Sequence, residues 1–206
     1  MAGDGPPRTC SDGAPDFQTV TLPEAECDRL CELLITERVE TVVEIGLAYG
    51  SSALAIGEAL VTVDAPQPSH VIVDPFQASA YRNAGWEVLQ AAGLGSIITL
   101  LPEWSSIVLP RLVTDELLAD AAFVDGSHRF HEVFVDLYFL RKVVRPGGLI
   151  VLDDRQTPSV GTALRYYERN LGWQAIHGLF AEDSRCAAFR LPDRPFEPPF
   201  EEFQPF

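Results

Sequence analysis

Apolar residues along this chain come in short runs whose spacing switches between two periods. After Leu22 and a Pro-led acidic start, Cys27, Leu30, Cys31 and Leu34 share one face at helical spacing, which predicts a helix ending near Arg38. Thr41 to Ile45 is a β-branched run that predicts a strand; Gly46 closes it, and LAYGSSALAIGEAL, rich in Ala and Leu, continues as a helix. The same unit then repeats. His70 to Val73, Ser96 to Leu101, Ala121 to Val124 and Leu149 to Leu152 read as strands, with helices over Ala78 to Ala92 and His128 to Val143 and a mostly helical connection from Ser105 to Leu118.

Strands alternating with helices imply the α/β class, as one doubly wound, mainly parallel sheet. Gln174 to Phe180 and Cys186 to Leu191, joined by the acidic turn AEDS, predict an antiparallel C-terminal hairpin that closes one edge and brings the sheet to seven strands. Residues 1–16 are rich in Gly, Pro and Asp and carry no apolar period, so a flexible segment is expected ahead of a domain over 17–191. Over 192–206 the repeated prolines forbid a helix or an inner strand and predict an extended strap. Its Phe196, Phe200, Phe203 and Phe206 should cover apolar surface, either on their own domain or on a second subunit, which would make a homodimer.

Composition narrows the class. With 206 residues and 47% apolar content the chain can bury a core, so disorder as the main state is excluded. The 30 acidic residues against 15 basic ones leave a net charge of −15, which repels a phosphate backbone, and no nucleic-acid partner is expected. No apolar run spans a bilayer and no basic segment precedes an apolar run at the start, so no membrane partner and a cytoplasmic location are expected. Cys10, Cys27, Cys31 and Cys186 lack zinc spacing and are too scattered to staple the domain, so reduced thiols are expected.

In an open parallel sheet, ligands collect at the carboxyl ends of strands, near the point where strand order reverses. The first strand leaves through Glu44, Ile45, Gly46, Leu47, Ala48, Tyr49, Gly50, Ser51 and Ser52, a glycine turn that lets a ligand approach the backbone while helix N–H groups face an anion. Ala48 and Ala53 break the GxGxxG pattern of dinucleotide sites, and no Gly-Lys-Ser/Thr follows, so a Walker loop is excluded. Asp74, ending the next strand in VIVDPF, is an acid placed to hold a ribose diol.

These segments resemble a class I S-adenosylmethionine-dependent methyltransferase. The resemblance covers Thr41 to Asp154 and rests on VVEIGLAYGSS, VIVDPF, AAFVDGSH and VRPGGLIVLDD. It implies a Rossmann-like fold that binds S-adenosylmethionine, with Glu44 and Asp125 in the cofactor site. Gly46 and Gly50 would lie under its methionine moiety, Ser51 or Ser52 at its carboxylate, Asp74 at its ribose, and Pro102, Glu103, Trp104 and Ser105 near its adenine.

Asp125 ends the fourth strand, and Asp153 and Asp154 end the fifth, so three carboxylates are expected at one sheet edge. Like charges so placed repel unless a cation sits among them, and oxygen-only ligands select a hard ion such as Mg²⁺. His128 falls opposite the apolar stripe of its helix, which makes it the candidate proton acceptor, while His131 lies nearer the apolar edge and is a weaker candidate. The Asp-Gly-x-His and Asp-Asp pattern resembles metal-dependent small-molecule O-methyltransferases of antibiotic pathways and of the catechol type. It implies a small-molecule hydroxyl acceptor whose oxygen, held by the ion, loses its proton to His128 and attacks the sulfonium methyl. Three alternatives stand beside this: a metal-independent methyltransferase, a non-catalytic cofactor-binding scaffold docked through the tail, and a metal-assisted hydrolase, against which the glycine turn argues.

Overall fold

A computed structural model describes residues 16–206. The expected flexible segment therefore lies outside the described residues, except for Asp16, which caps α1 (Phe17–Val20) by accepting from Gln18 N at 3.1 Å. Seven strands form one sheet: β1 (Thr41–Ile45), β2 (Ser69–Val73), β3 (Ile98–Leu101), β4 (Ala119–Val124), β5 (Val144–Leu152), β6 (Gln174–Ala175) and β7 (Ala187–Arg190), in the order β3-β2-β1-β4-β5-β7-β6. β1 to β5 are parallel, and β7 runs antiparallel to both β5 and β6. Strand order reverses between β1 and β4, so their carboxyl ends flank the switch point where α/β sheets bind ligands.

Side chains alternate between the two faces of the sheet, which is why the strands read as almost unbroken apolar runs. Val43, Ile45, Val124, Ile150 and Leu152 pack on one side, against α5 (Ser105–Thr114), α6 (Phe130–Val143) and α7 (Pro158–Leu171). Val42, Phe123, Leu149 and Val151 pack on the other, against α2 (Glu24–Thr36) and α3 (Ser51–Val63), through Leu30, Leu34, Ile56 and Leu60. Beside them Ile72 and Ile98 bury Leu89 of α4 (Ala84–Ala91). Cys27, Cys31 and Cys186 are free thiols, and among the described residues no helix is long and apolar enough to cross a membrane.

The structure departs from the sequence-based expectations at several places. α4 starts at Ala84 and not at residue 78, because Arg82 and Asn83 adopt left-handed φ values of 52° and 60° and residues 75–83 form turns. β5 begins at Val144, and the Pro146, Gly147, Gly148 stretch loops out where the register passes from Ala119↔Val144 to Ala121↔Leu149. β6 keeps only Gln174 and Ala175, since the chain bends away at Gly178, φ +77°. α7 was not anticipated: Pro158 opens it, Gly172 closes it at φ +68°, and Val160, Leu164, Tyr167 and Leu171 make its buried stripe.

The strap docks on its own domain. Asn170 Nδ2 donates to Gln204 O (3.0 Å), Gln204 N donates to Asn170 Oδ1 (2.8 Å), and Arg169 donates to Pro205 O (2.7 Å). Phe206 lies 5.1 Å from Tyr166 and 6.4 Å from Phe130 between ring centroids, whereas Phe200 is 87% exposed.

Tyr167 joins α6 and α7 from inside the core, its hydroxyl donating to Phe134 O at 2.6 Å while the residue has no exposed surface. Tyr167→Phe should lower stability by about 1 kcal/mol, the net worth of one such bond, as a shift of the urea midpoint with unchanged slope.

Candidate functional site

The turn after β1 is built around positive φ angles at Gly46 (93°), Ala48 (46°) and Gly50 (88°). A Cβ at position 46 would stand 2.2 Å from Asp125 O, so the exits of β1 and β4 touch backbone to backbone. Gly46 N donates to Val73 O (2.9 Å), and Asp125 N donates to Ile45 O (2.8 Å). Beyond Gly50, α3 starts with no side-chain cap, which leaves its first N–H groups to face an anionic ligand.

Two residues expected to touch a cofactor work inside the protein instead. Glu44 has no exposed surface: Ser52 donates to its Oε1 at 2.5 Å, and His70 Nε2 lies 2.8 Å from its Oε2. Strand alternation is the reason, since Glu44 and His70 project from neighbouring strands toward the same helix face. Ser52 is thereby spent on Glu44, and Ser51 accepts from Leu22 N at 3.0 Å, tying the chain just before α2 to the start of α3.

Asp74 is 3% exposed and shapes the turn. Its Oδ2 accepts from Leu47 N (3.0 Å), Ala48 N (3.1 Å) and Gln77 Nε2 (2.8 Å), and its Oδ1 accepts from Phe76 N (2.7 Å). Three of these donors meet Oδ2 and one meets Oδ1, so Asp74 closes the turn from the β2 side. Gln77 also donates to Ala48 O (2.8 Å), while its Oε1 is a buried acceptor with no partner among the described residues.

Trp104 stands at the end of β3, half exposed, with Phe76 edge-on at 5.2 Å between centroids. Sequence reading found Trp104 but missed Phe76, which comes from another strand end. Glu103 faces away onto Arg111 at 2.6 Å. On the opposite side of the turn Phe17, Tyr49 and Tyr81 form a row with centroids 5.3 Å apart, beside a groove of about 540 Å³ lined by Phe17, Leu22, Cys27, Ser51 and Leu54 among others. Burial, with Asp74 and Asp125 acting the same way, pushes the Tyr81 hydroxyl up to about 12.

The acid cluster is arranged in two parts. Asp125, His128 and Asp154 come together, with ligand atoms within 4.8 Å of one another. His128 Nε2 lies 2.8 Å from Asp154 Oδ2 and 3.9 Å from Asp125 Oδ1. Asp154 sits at φ 55°, in the left-handed region that Asp tolerates better than most residues. Asp153, expected to share this set, is turned onto Arg185, a residue the sequence reading did not single out. His131 is exposed, near Glu132 and outside the cluster.

Electrostatics separate the members. Burial raises the Asp125 carboxyl to about 7, against the pull of His128 and with Asp153 and Asp154 pushing the same way. Hydrogen bonding from His128 holds Asp154 below the usual carboxylate range. Asp125 and Asp154 together hold the proton on His128, pushing it up to about 10. His128 and, at longer range, the Arg185 guanidinium are the positive groups that favour the charged form of Asp125. A hollow of about 10 Å³, the room one water needs, is lined by Asp125, His128 and Asp153 together with Gly126 and apolar neighbours.

A parallel sheet of this order, with a glycine turn and an acid cluster facing each other across its switch point, defines a Rossmann-like ligand-binding α/β domain. A family profile described as "Methyltransferase domain" matches residues 43–155, more than half of the chain, and the chain belongs to that family. Among solved structures it is similar to the cofactor-bound Rv0187 from MTB (TM-score 0.67, 18% identity, covering 84% of this chain and 82% of that one). It is similar to the O-methyltransferase from Bacillus cereus in complex with SAH (0.67, 15%, 84% and 83%). It also resembles TomG, the O-methyltransferase from Streptomyces achromogenes involved in tomaymycin synthesis, in complex with SAM (0.66, 18%, 84% and 82%). At these identities the likeness is one of fold. No curated protein matches the chain.

Because Asp74 is the acceptor that closes the turn, Asp74→Ala should strand Leu47 N and Ala48 N without partners. Stability should fall by at least about 2 kcal/mol, well above the roughly 0.5 kcal/mol typical of a surface acid, in urea unfolding.

Proposed function

We propose that this chain transfers the methyl group of S-adenosylmethionine to a hydroxyl oxygen of a small molecule. The observation that carries the reading is the juxtaposition at the switch point: an uncapped helix start and glycine turn on one side, and Asp125, His128 and Asp154 on the other. The cofactor fits what is present. Its carboxylate suits the open N–H groups of α3, and its adenine suits the half-exposed Phe76 and Trp104 pair. The SAH and SAM complexes of the two O-methyltransferases of like fold support the same reading.

A divalent cation fits the donor set in part. Asp125 and Asp154 would hold it, Asp125 lining a hollow of one-water size. When bound, such an ion supplies a Lewis acid for the acceptor oxygen and neutralises the two carboxylates that keep His128 protonated. Magnesium or a similar hard ion suits the two carboxylates.

The protein's own part is positioning and proton transfer. The His128 backbone is anchored through its carbonyl, which accepts from the Ser159 hydroxyl at the start of α7, and its imidazole is held by Asp154 at 2.8 Å. Neutral His128 accepts the acceptor's proton at Nε2, the atom that now faces Asp154. S-adenosylmethionine, when bound, would supply a methyl group activated as a sulfonium with a neutral thioether as leaving group, so alignment is most of what the chain would have to provide. The apolar groove and the row of Phe17, Tyr49 and Tyr81 supply the acceptor wall.

Calorimetric titration of S-adenosylmethionine into the protein, with Mg²⁺ and again with EDTA, tests the reading; saturable binding is expected, and its absence in both conditions would overturn it. His128→Ala should leave cofactor affinity within twofold and lower turnover roughly 100-fold or more, the usual contribution of a positioned base. Near-normal turnover removes His128 from that role.

A further inference from the structure

The first turn of α3 carries two hydroxyls, and each is tied to a different part of the chain. Ser51 accepts from Leu22 N at 3.0 Å, which holds the helix start to the segment ahead of α2. Ser52 is buried and donates to Glu44 Oε1 of β1 at 2.5 Å. The other oxygen of that carboxyl, Oε2, lies 2.8 Å from His70 Nε2 of β2. The strand register explains the meeting: Val42 pairs with His70 and Glu44 with Ile72, so both polar side chains leave the same face of the sheet two positions apart. Neither Glu44 nor His70 has any exposed surface.

An acid and an imidazole enclosed in a core are costly, and an apolar pair of like volume packs there as well or better. What an apolar pair cannot supply is an acceptor for Ser52. The first bond of the α3 ladder is Leu54 N to Gly50 O at 2.9 Å, so the N–H groups of Ser51, Ser52 and Ala53 precede the ladder, and no side chain caps them. Gly50 leads into them at φ 88° and, lacking a Cβ, restrains the chain least of any residue. The stiffness of this helix start therefore comes from its tethers. The Ser52 tether runs to two central strands, since Glu44 stands on β1 and His70 on β2. Hydrogen bonds weaken steeply as their angle and length depart from the optimum, so the placing of these N–H groups decides how well they meet an anion.

We infer that Glu44, braced by His70 and acting through Ser52, is a positioning residue for the carboxylate of S-adenosylmethionine, because it fixes where the open N–H groups of α3 stand. The inference rests on the methyl-transfer reading, which puts that carboxylate at the start of α3. The Glu44, His70 and Ser52 side chains then touch no part of the ligand. Loss of the tether is felt at the carboxylate end and not at the adenine end, where Phe76 and Trp104 stand.

Two ligands that differ in one group, S-adenosylmethionine and its decarboxylated form, titrated calorimetrically into the wild type and single variants, test this. The wild type should bind the decarboxylated ligand more weakly, by roughly tenfold. Ser52→Ala should bind S-adenosylmethionine at least fivefold more weakly than the wild type does, while its affinity for the decarboxylated ligand stays within twofold. His70→Leu, which removes the brace but leaves Glu44 to accept from Ser52, should shift the same way by at least threefold. Should Ser52→Ala fail to fold by circular dichroism, Ser52→Cys, close in size but a weak donor, should still lose at least threefold on S-adenosylmethionine alone. Should His70→Leu fail, His70→Asn, too short to meet Glu44, takes its place. An equal fall for both ligands overturns the inference, since that is what a merely structural role produces, and so does unchanged S-adenosylmethionine affinity in the Ser52 variants. Unchanged affinity in the His70 variants overturns the brace. A wild type that binds both ligands equally sinks the inference and leaves cofactor binding standing, whereas failure of the wild type to bind S-adenosylmethionine sinks the methyltransferase reading itself.

Discussion

The backbone contact between the β1 and β4 exits is the constraint on which the rest of the site depends. With a Cβ at residue 46 destined to land 2.2 Å from Asp125 O, only glycine lets the two loops close, and the φ of 93° is one that other residues rarely adopt. Closure fixes the height of Asp125 above the sheet through Asp125 N on Ile45 O. It also fixes the direction in which α3 leaves, and hence where its uncapped N–H groups point. Asp74 and Gln77 secure the same turn from the β2 side, through the carboxylate on Leu47 N and Ala48 N and the amide on Ala48 O.

Charge is organised around this frame pair by pair. Acidic residues outnumber basic ones two to one, yet acids near the sheet edge are each given a neighbour: His70 for the buried Glu44, Arg185 for the buried Asp153, His128 for the partly exposed Asp154. Asp125 is held more loosely, with His128 Nε2 at 3.9 Å, and burial raises its carboxyl to about 7. A carboxyl in that condition either keeps a proton or waits for a cation. The net charge and the local geometry thus agree on where added positive charge is best accepted.

Much of this was legible in the chain. The β-branched runs, the glycine turn and the strand-end acids located the sheet, its switch point and Asp125, His128 and Asp154, because each rests on local sequence. What escaped depended on direction or on distance along the chain. Asp153 and Asp154 are neighbours, but alternation along β5 places Asp153 on the face of Leu149 and Val151, toward α2, where Arg185 and Glu26 wait. That rule was available from the strand pattern. The pairing of Phe76 with Trp104 was not, since it joins the ends of two strands through a loop whose turns override helix-forming residues. Glu44 read as a ligand contact because nothing local reveals that His70 lies beside it.

The order of the strands gives the site a dependence on the far end of the chain. β7 inserts beside β5 in the antiparallel sense, so Arg185 reaches Asp153 only when the hairpin has docked. The same short segment carries Ser184 and Cys186, which tie Glu26 of α2 to Asp153. The first core helix, the fifth strand and the last strand therefore meet at one buried carboxylate. Sequence-distant contacts of this kind form late in folding, after the loop-closure cost has been met. Until they form, Asp153 would be a buried acid without a counter-charge, which opposes docking of α2 on the sheet. The Arg185–Asp153 pair is thus a condition for closing the fold, since it gives the carboxylate that faces α2 its counter-charge.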